Sequence, residues 1–131
     1  MSEIDWELIK GILENVLESL MTIEKRFRQV PDAEFFCSEA GQERRDGICM
    51  LFIAIGESFK QIDELSNKTF LSRYPEFERR KIIGFRNMIA HNYCDINEIL
   101  LFNHCRDHLP LLLQTVKRMI QDLNPNPAES S

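Results

Sequence analysis

A chain of 131 residues, 44% hydrophobic and 28% charged, is long enough to bury one sizeable core and too short for two. Its net charge of −5 argues against a general polyanion binder, and its short apolar runs exclude a membrane-spanning helix. Four cysteines (Cys37, Cys49, Cys94, Cys105) without a C-x-x-C pair exclude a disulfide framework and read as free thiols in a reducing, cytoplasmic setting.

Glu3, Asp5 and Glu7 precede any apolar run, so the start does not read as a signal peptide. Ile9, Ile12, Leu13, Val16, Leu17, Leu20, Ile23 and Phe27 then recur by threes and fours, which predicts an amphipathic helix across residues 4–30. Ser2 or Asp5 suits its N-cap, and Pro31 marks its end. Residues 32–38 form a joint with a short helical turn carrying Phe35 and Phe36, and Ser38 offers the next N-cap. A second helix follows through Ile48, Leu51, Phe52, Ile55, Phe59, Ile62 and Leu65, with Gly47 and Gly56 inside it. A glycine there costs about 1 kcal/mol against alanine, which predicts close helix approach at both.

Ser66-Asn67-Lys68 ends that helix, and residues 69–74 connect to Pro75 as the first position of a third. The third helix runs through Ile82, Phe85 and Ile89 and stops near Asn92. Asp95 and Glu98 have the spacing of a capping box for a fourth helix, which Pro110 should kink or split. No internal repeat is present. The expected architecture is all-α: an antiparallel bundle of four main helices, or five if Pro110 breaks the last, over residues 1–123, with a flexible tail at 124–131.

One stretch collects most of the useful chemistry: Arg86, Asn87, His91 and Tyr93, at the end of the third helix. From Lys68 to His91, six basic residues face two acids, a local +4 in an acidic chain. Arginine supplies a permanent charged fork for phosphate, and histidine moves a proton near neutral pH. Together they suffice for RNA cleavage by the RNA's own 2′-hydroxyl, without a metal. On an ideal helix Asn87 and His91 share a face, whereas Arg86 and His91 stand about 140° apart. They converge if the helix unwinds near His91, or if a second copy of the chain supplies the complementary group in a symmetric dimer. Metal ligation is the weaker reading. His104 and His108 lie four apart with Cys105 and Asp107 beside them, and Cys94 follows His91 by three, but no H-E-x-x-H or paired C-x-x-C is present. Such a histidine pair ordinarily lies on a solvated face.

Arg86-Asn87-Met88-Ile89-Ala90-His91-Asn92-Tyr93 resembles the R-x4-H-x-Y signature of HepT-like proteins in the HEPN superfamily. Ile55-Gly56-Glu57 resembles that family's I-G-E segment in the second helix, Ile83-Gly84-Phe85-Arg86-Asn87 the lead-in to its motif, and His108-Leu109-Pro110-Leu111-Leu112 its final-helix pattern. The resemblance implies a homodimeric, metal-independent ribonuclease, the toxin of a type VII-like toxin–antitoxin pair, acting on RNA such as tRNA or mRNA. It implies Arg86 and His91 as the catalytic pair and Asn87 in support. It further implies that Tyr93 is the site where a minimal nucleotidyltransferase of the MntA type attaches AMP from ATP, the chain itself needing no cofactor. Cys94 and Phe102 depart from what many relatives carry, while all three signature positions are kept. The rival expectation is a non-catalytic accessory subunit that binds a nucleotide or the nucleotidyltransferase.

Overall fold

Side-chain caps start the first two helices where the sequence predicts. The computed structural model describes residues 3–75, 77, 86 and 97–124. Helix α1 spans Trp6–Phe27, and the Asp5 carboxylate accepts a hydrogen bond from the Leu8 amide at 3.0 Å. Its apolar stripe buries Ile9, Leu13, Val16, Leu20 and Ile23, each worth about 1.5–3 kcal/mol of transfer free energy. The chain then makes a 3-10 turn, Ala33–Cys37, that inserts Phe36 into the core.

Helix α2, Glu39–Leu65, is the long central element. The Ser38 hydroxyl accepts from the Gly41 amide at 3.0 Å and donates to the Phe35 carbonyl at 2.7 Å. A β-carbon on Gly41 would overlap that carbonyl, so the joint closes only on a glycine. Helix α2 ends through two left-handed residues, Asn67 (φ 54°) and Lys68 (φ 61°), with the Lys68 amide donating to the Asp63 carbonyl at 2.7 Å. This turn sends the chain back to α1, where Phe70 meets the Trp6 ring and Arg73 lies over both.

The segment after the short 3-10 turn Leu71–Arg73 is pinned from two sides. Tyr74 Oη donates to Asp122 at 2.6 Å, and the Phe77 ring packs 4.6 Å from the fully buried Phe59. The third helix does not begin at Pro75 as predicted. Pro75 occupies a turn and Phe77 a bend, and the Phe77 amide closes back on the Tyr74 carbonyl at 2.9 Å. Drawing Phe77 inward against Phe59 requires this tight return. Of the remaining predicted third helix, Arg86 alone is described, and it is helical.

Helix α3, Glu98–Asp107, opens on Asn97 rather than on the predicted Asp95–Glu98 box. The Asn97 side chain accepts from both Ile99 and Leu100 amides, at 2.8 and 3.0 Å, and Asp95 lies outside the described residues. Helix α4, Leu109–Leu123, follows at once, with Pro110 in its first turn, so the proline does split the predicted fourth helix. Helix α1 packs on α2 and α4, while the Ala33–Cys37 turn seats against α2 and α3. The result is an all-helical bundle with no strand among the described residues. No helix among them is long and apolar enough to cross a membrane.

Candidate active site

Arg86 is the described member of the predicted catalytic set; Asn87, His91 and Tyr93 lie outside the described residues. Its stem lies directly on the α2 backbone at Gly56, which is buried. A β-carbon added to Gly56 would stand 2.5 Å from Arg86 Cβ and 2.6 Å from its Cγ. Close approach at Gly56, predicted from the sequence, is therefore real, and the element it admits is the one carrying Arg86. At Gly47 the neighbour is instead the mobile end of a side chain, Arg26 Nη1 at 2.9 Å, rather than a second helix backbone.

The guanidinium of Arg86 turns toward the next residue along α2. Its Nη2 forms an ion pair with Glu57, and Lys60 Nζ stands 3.9 Å from the same carboxylate. The Arg86 side chain is 23% exposed and that of Glu57 48%, so the pair borders solvent. The I-G-E segment thus supplies two partners for the motif arginine: a space and a counter-charge. Composition and periodicity do not announce Glu57, because with Lys60 three positions on it reads as a solvated helix pair.

One turn earlier on the same face of α2, Phe52 meets His104 of α3 edge-on, at 5.1 Å between ring centroids. His104 is half-buried, not solvated as the i, i+4 spacing suggests. Burial, then the neighbouring His108 at 5.1 Å, lowers its pKa to about 4, so it is neutral at pH 7. Asp107, the other candidate ligand there, accepts two hydrogen bonds from Arg106, at 2.8 and 3.0 Å. The Cys105 thiol is buried and pushed up to about 12, first by burial and then by Cys49, which disfavours the thiolate a metal needs. Cys49 is likewise buried and pushed up to about 11, whereas Cys37 is exposed; all three are free thiols. Among the described residues, no three His, Cys, Asp or Glu side chains gather as a metal site would require. His91 and Cys94, the remaining metal candidates, lie outside the described residues.

The described part of the site is thus an arginine seated at Gly56 and paired with Glu57, and a neutral histidine meets Phe52 one turn before Gly56 on α2. Comparison with known proteins bears on what such an arrangement belongs to. The chain is similar to a protein of Methanocaldococcus jannaschii named "Putative RNase MJ1380", with 24% identity over 109 residues, covering 83% of this chain and 94% of the relative. No solved structure matches it. A family model described as ribonuclease HepT-like matches residues 16–119, a span that takes in α2, Arg86 and most of α4. The chain belongs to the HepT-like ribonuclease family.

Proposed function

We propose that the chain is a metal-independent endoribonuclease acting as the toxin of a type VII-like toxin–antitoxin pair. In this reaction the RNA 2′-oxygen attacks the adjacent phosphorus, the bond from phosphorus to the 5′-oxygen breaks, and the products are a 2′,3′-cyclic phosphate and a 5′-hydroxyl. His91 carries the proton at the reacting oxygens. Arg86 stabilises the charge that gathers on the phosphorane-like transition state, and Asn87 supports the pair. Because Arg86 and His91 diverge on an ideal helix, the working unit in this reading is a homodimer with its cleft between subunits.

Tyr93 is the proposed off-switch. A minimal nucleotidyltransferase of the MntA type would transfer AMP from ATP to the phenol oxygen, releasing pyrophosphate. The added phosphate places bulk and negative charge where the substrate phosphate approaches. The observation that carries this reading is family membership across residues 16–119, a span that contains Arg86, Asn87, His91 and Tyr93.

The test is RNA cleavage by purified, partner-free protein beside its His91→Ala variant, with intact mass confirming that Tyr93 is unmodified. The parent should cut and leave 2′,3′-cyclic phosphate ends, and the variant should lose at least about 100-fold in rate with unchanged helical content. An alanine variant that cuts at the parent rate rejects the assignment. The net charge of −5 weighs against broad RNA affinity, and the second reading is a nucleotide- or nucleotidyltransferase-binding accessory subunit. Inactivity of the unmodified parent on both tRNA and mRNA would favour that alternative.

A further inference from the structure

Arg86 is held at both ends by consecutive residues of α2. Gly56 sets the stem, since nothing larger than hydrogen fits between the α2 backbone and Arg86 Cβ and Cγ. Glu57 sets the tip through its carboxylate on Nη2. Arg86 Cβ and Cγ take up the place that a side chain at Gly56 would fill, so the stem is seated against the α2 backbone.

Such a pair can serve stability or aim, and exposure decides between them. With Glu57 48% and Arg86 23% exposed, the ion pair sits partly in water, where pairs of this kind add little to folding. Aim is another matter. A long arginine side chain has many rotamers, and a shift of ~1 Å in a group that stabilises a transition state can cost about 100-fold in rate. Lys60 Nζ also stands 3.9 Å from the Glu57 carboxylate, on the same helix.

The geometry points to Glu57 as the positioning residue for Arg86. Its carboxylate fixes the guanidinium in the orientation that meets the scissile phosphate, while Gly56 seats the stem. This assignment of Glu57 rests on the ribonuclease reading above.

The decisive variants are Glu57→Gln, which keeps size and loses charge, and Glu57→Asp, which keeps charge on a shorter stem. Turnover of a short RNA, thermal unfolding, and guanidinium rotation of Arg86 by 15N NMR are measured on the parent and both. Glu57→Gln should lower kcat about 10- to 100-fold while its unfolding midpoint stays within about 3 °C of the parent. Glu57→Asp should recover part of that loss. Rotation of the Arg86 guanidinium should be slow in the parent and fast in Glu57→Gln. Equal turnover in parent and Glu57→Gln, or faster turnover because the carboxylate masks the arginine, overturns the assignment. The NMR arm stands without activity. If the parent itself does not cut RNA, the ribonuclease reading fails, while equal Arg86 rotation in parent and Glu57→Gln separately shows that Glu57 holds nothing.

Discussion

Two residues apart on α2, Glu57 and Phe59 receive the same stretch of chain in opposite ways. Phe59 is fully buried and takes the Phe77 ring at 4.6 Å, the end of an anchor that also ties Tyr74 to Asp122 and Phe70 to Trp6. Glu57 is half in solvent and takes a guanidinium. The anchor is built from apolar area and ring packing, which resist unfolding. The ion pair contributes orientation and little else. One helix therefore separates holding the chain from aiming a side chain, and Gly56, next to Glu57, takes the stem of the arginine.

The sharpest way to break this division is Phe59→Ala. Removing a fully buried phenylalanine that faces another ring should cost about 3–5 kcal/mol, read as a lowered urea midpoint. A variant at Phe59 that unfolds like the parent while losing turnover would invert the proposed roles of the two positions. Acid should act next most strongly, through His104 against Phe52, one turn before Gly56. Burial, then His108, lowers the His104 pKa from 6.5 to about 4 in the folded chain. Between those values the unfolded chain binds the proton and the folded chain does not, so stability falls as pH drops from about 6.5 toward 4. The loss is on the order of 1–3 kcal/mol, and His104→Gln should flatten that part of the stability–pH curve.

Local pattern was enough for much of this architecture. Apolar spacing located α1 and α2, Asp5 and Ser38 cap where capping chemistry says they should, and Pro110 divides the last two helices. The misses share a cause. Asn97 is as competent a cap by residue type as Asp95, and it is the one that receives the Ile99 and Leu100 amides. Pro75 looks like a helix start until Phe77 is drawn inward by a phenylalanine 18 positions back. His104 looks solvated until Phe52 arrives from another helix, and Glu57 looks like half of a surface pair until Arg86 crosses at Gly56. Partners distant in sequence leave no local signal. Of the signature, Arg86 is the residue the structure describes, and its partner Glu57 was not legible as one; Asn87, His91 and Tyr93 lie outside the described residues.

Tyr74→Phe is the mildest perturbation of the anchor and the most discriminating. It removes one hydrogen bond, from Tyr74 Oη to Asp122, and leaves the ring against Phe70 at 5.4 Å and beneath Arg118 at 5.0 Å. Burial, then the Asp122 contact, raises the phenol above its ordinary range, so Tyr74 is a neutral donor across the working pH. Asp122 is exposed and regains water when the donor is lost, which limits the cost to about 1 kcal/mol. A chain of this size should then melt about 2–6 °C lower. Turnover should stay at the parent level, because Gly56 and Glu57 still set Arg86. A fall in kcat as large as that expected of Glu57→Gln would mean that the anchor aims the arginine as well as holding the chain, and the two positions on α2 would no longer be separable.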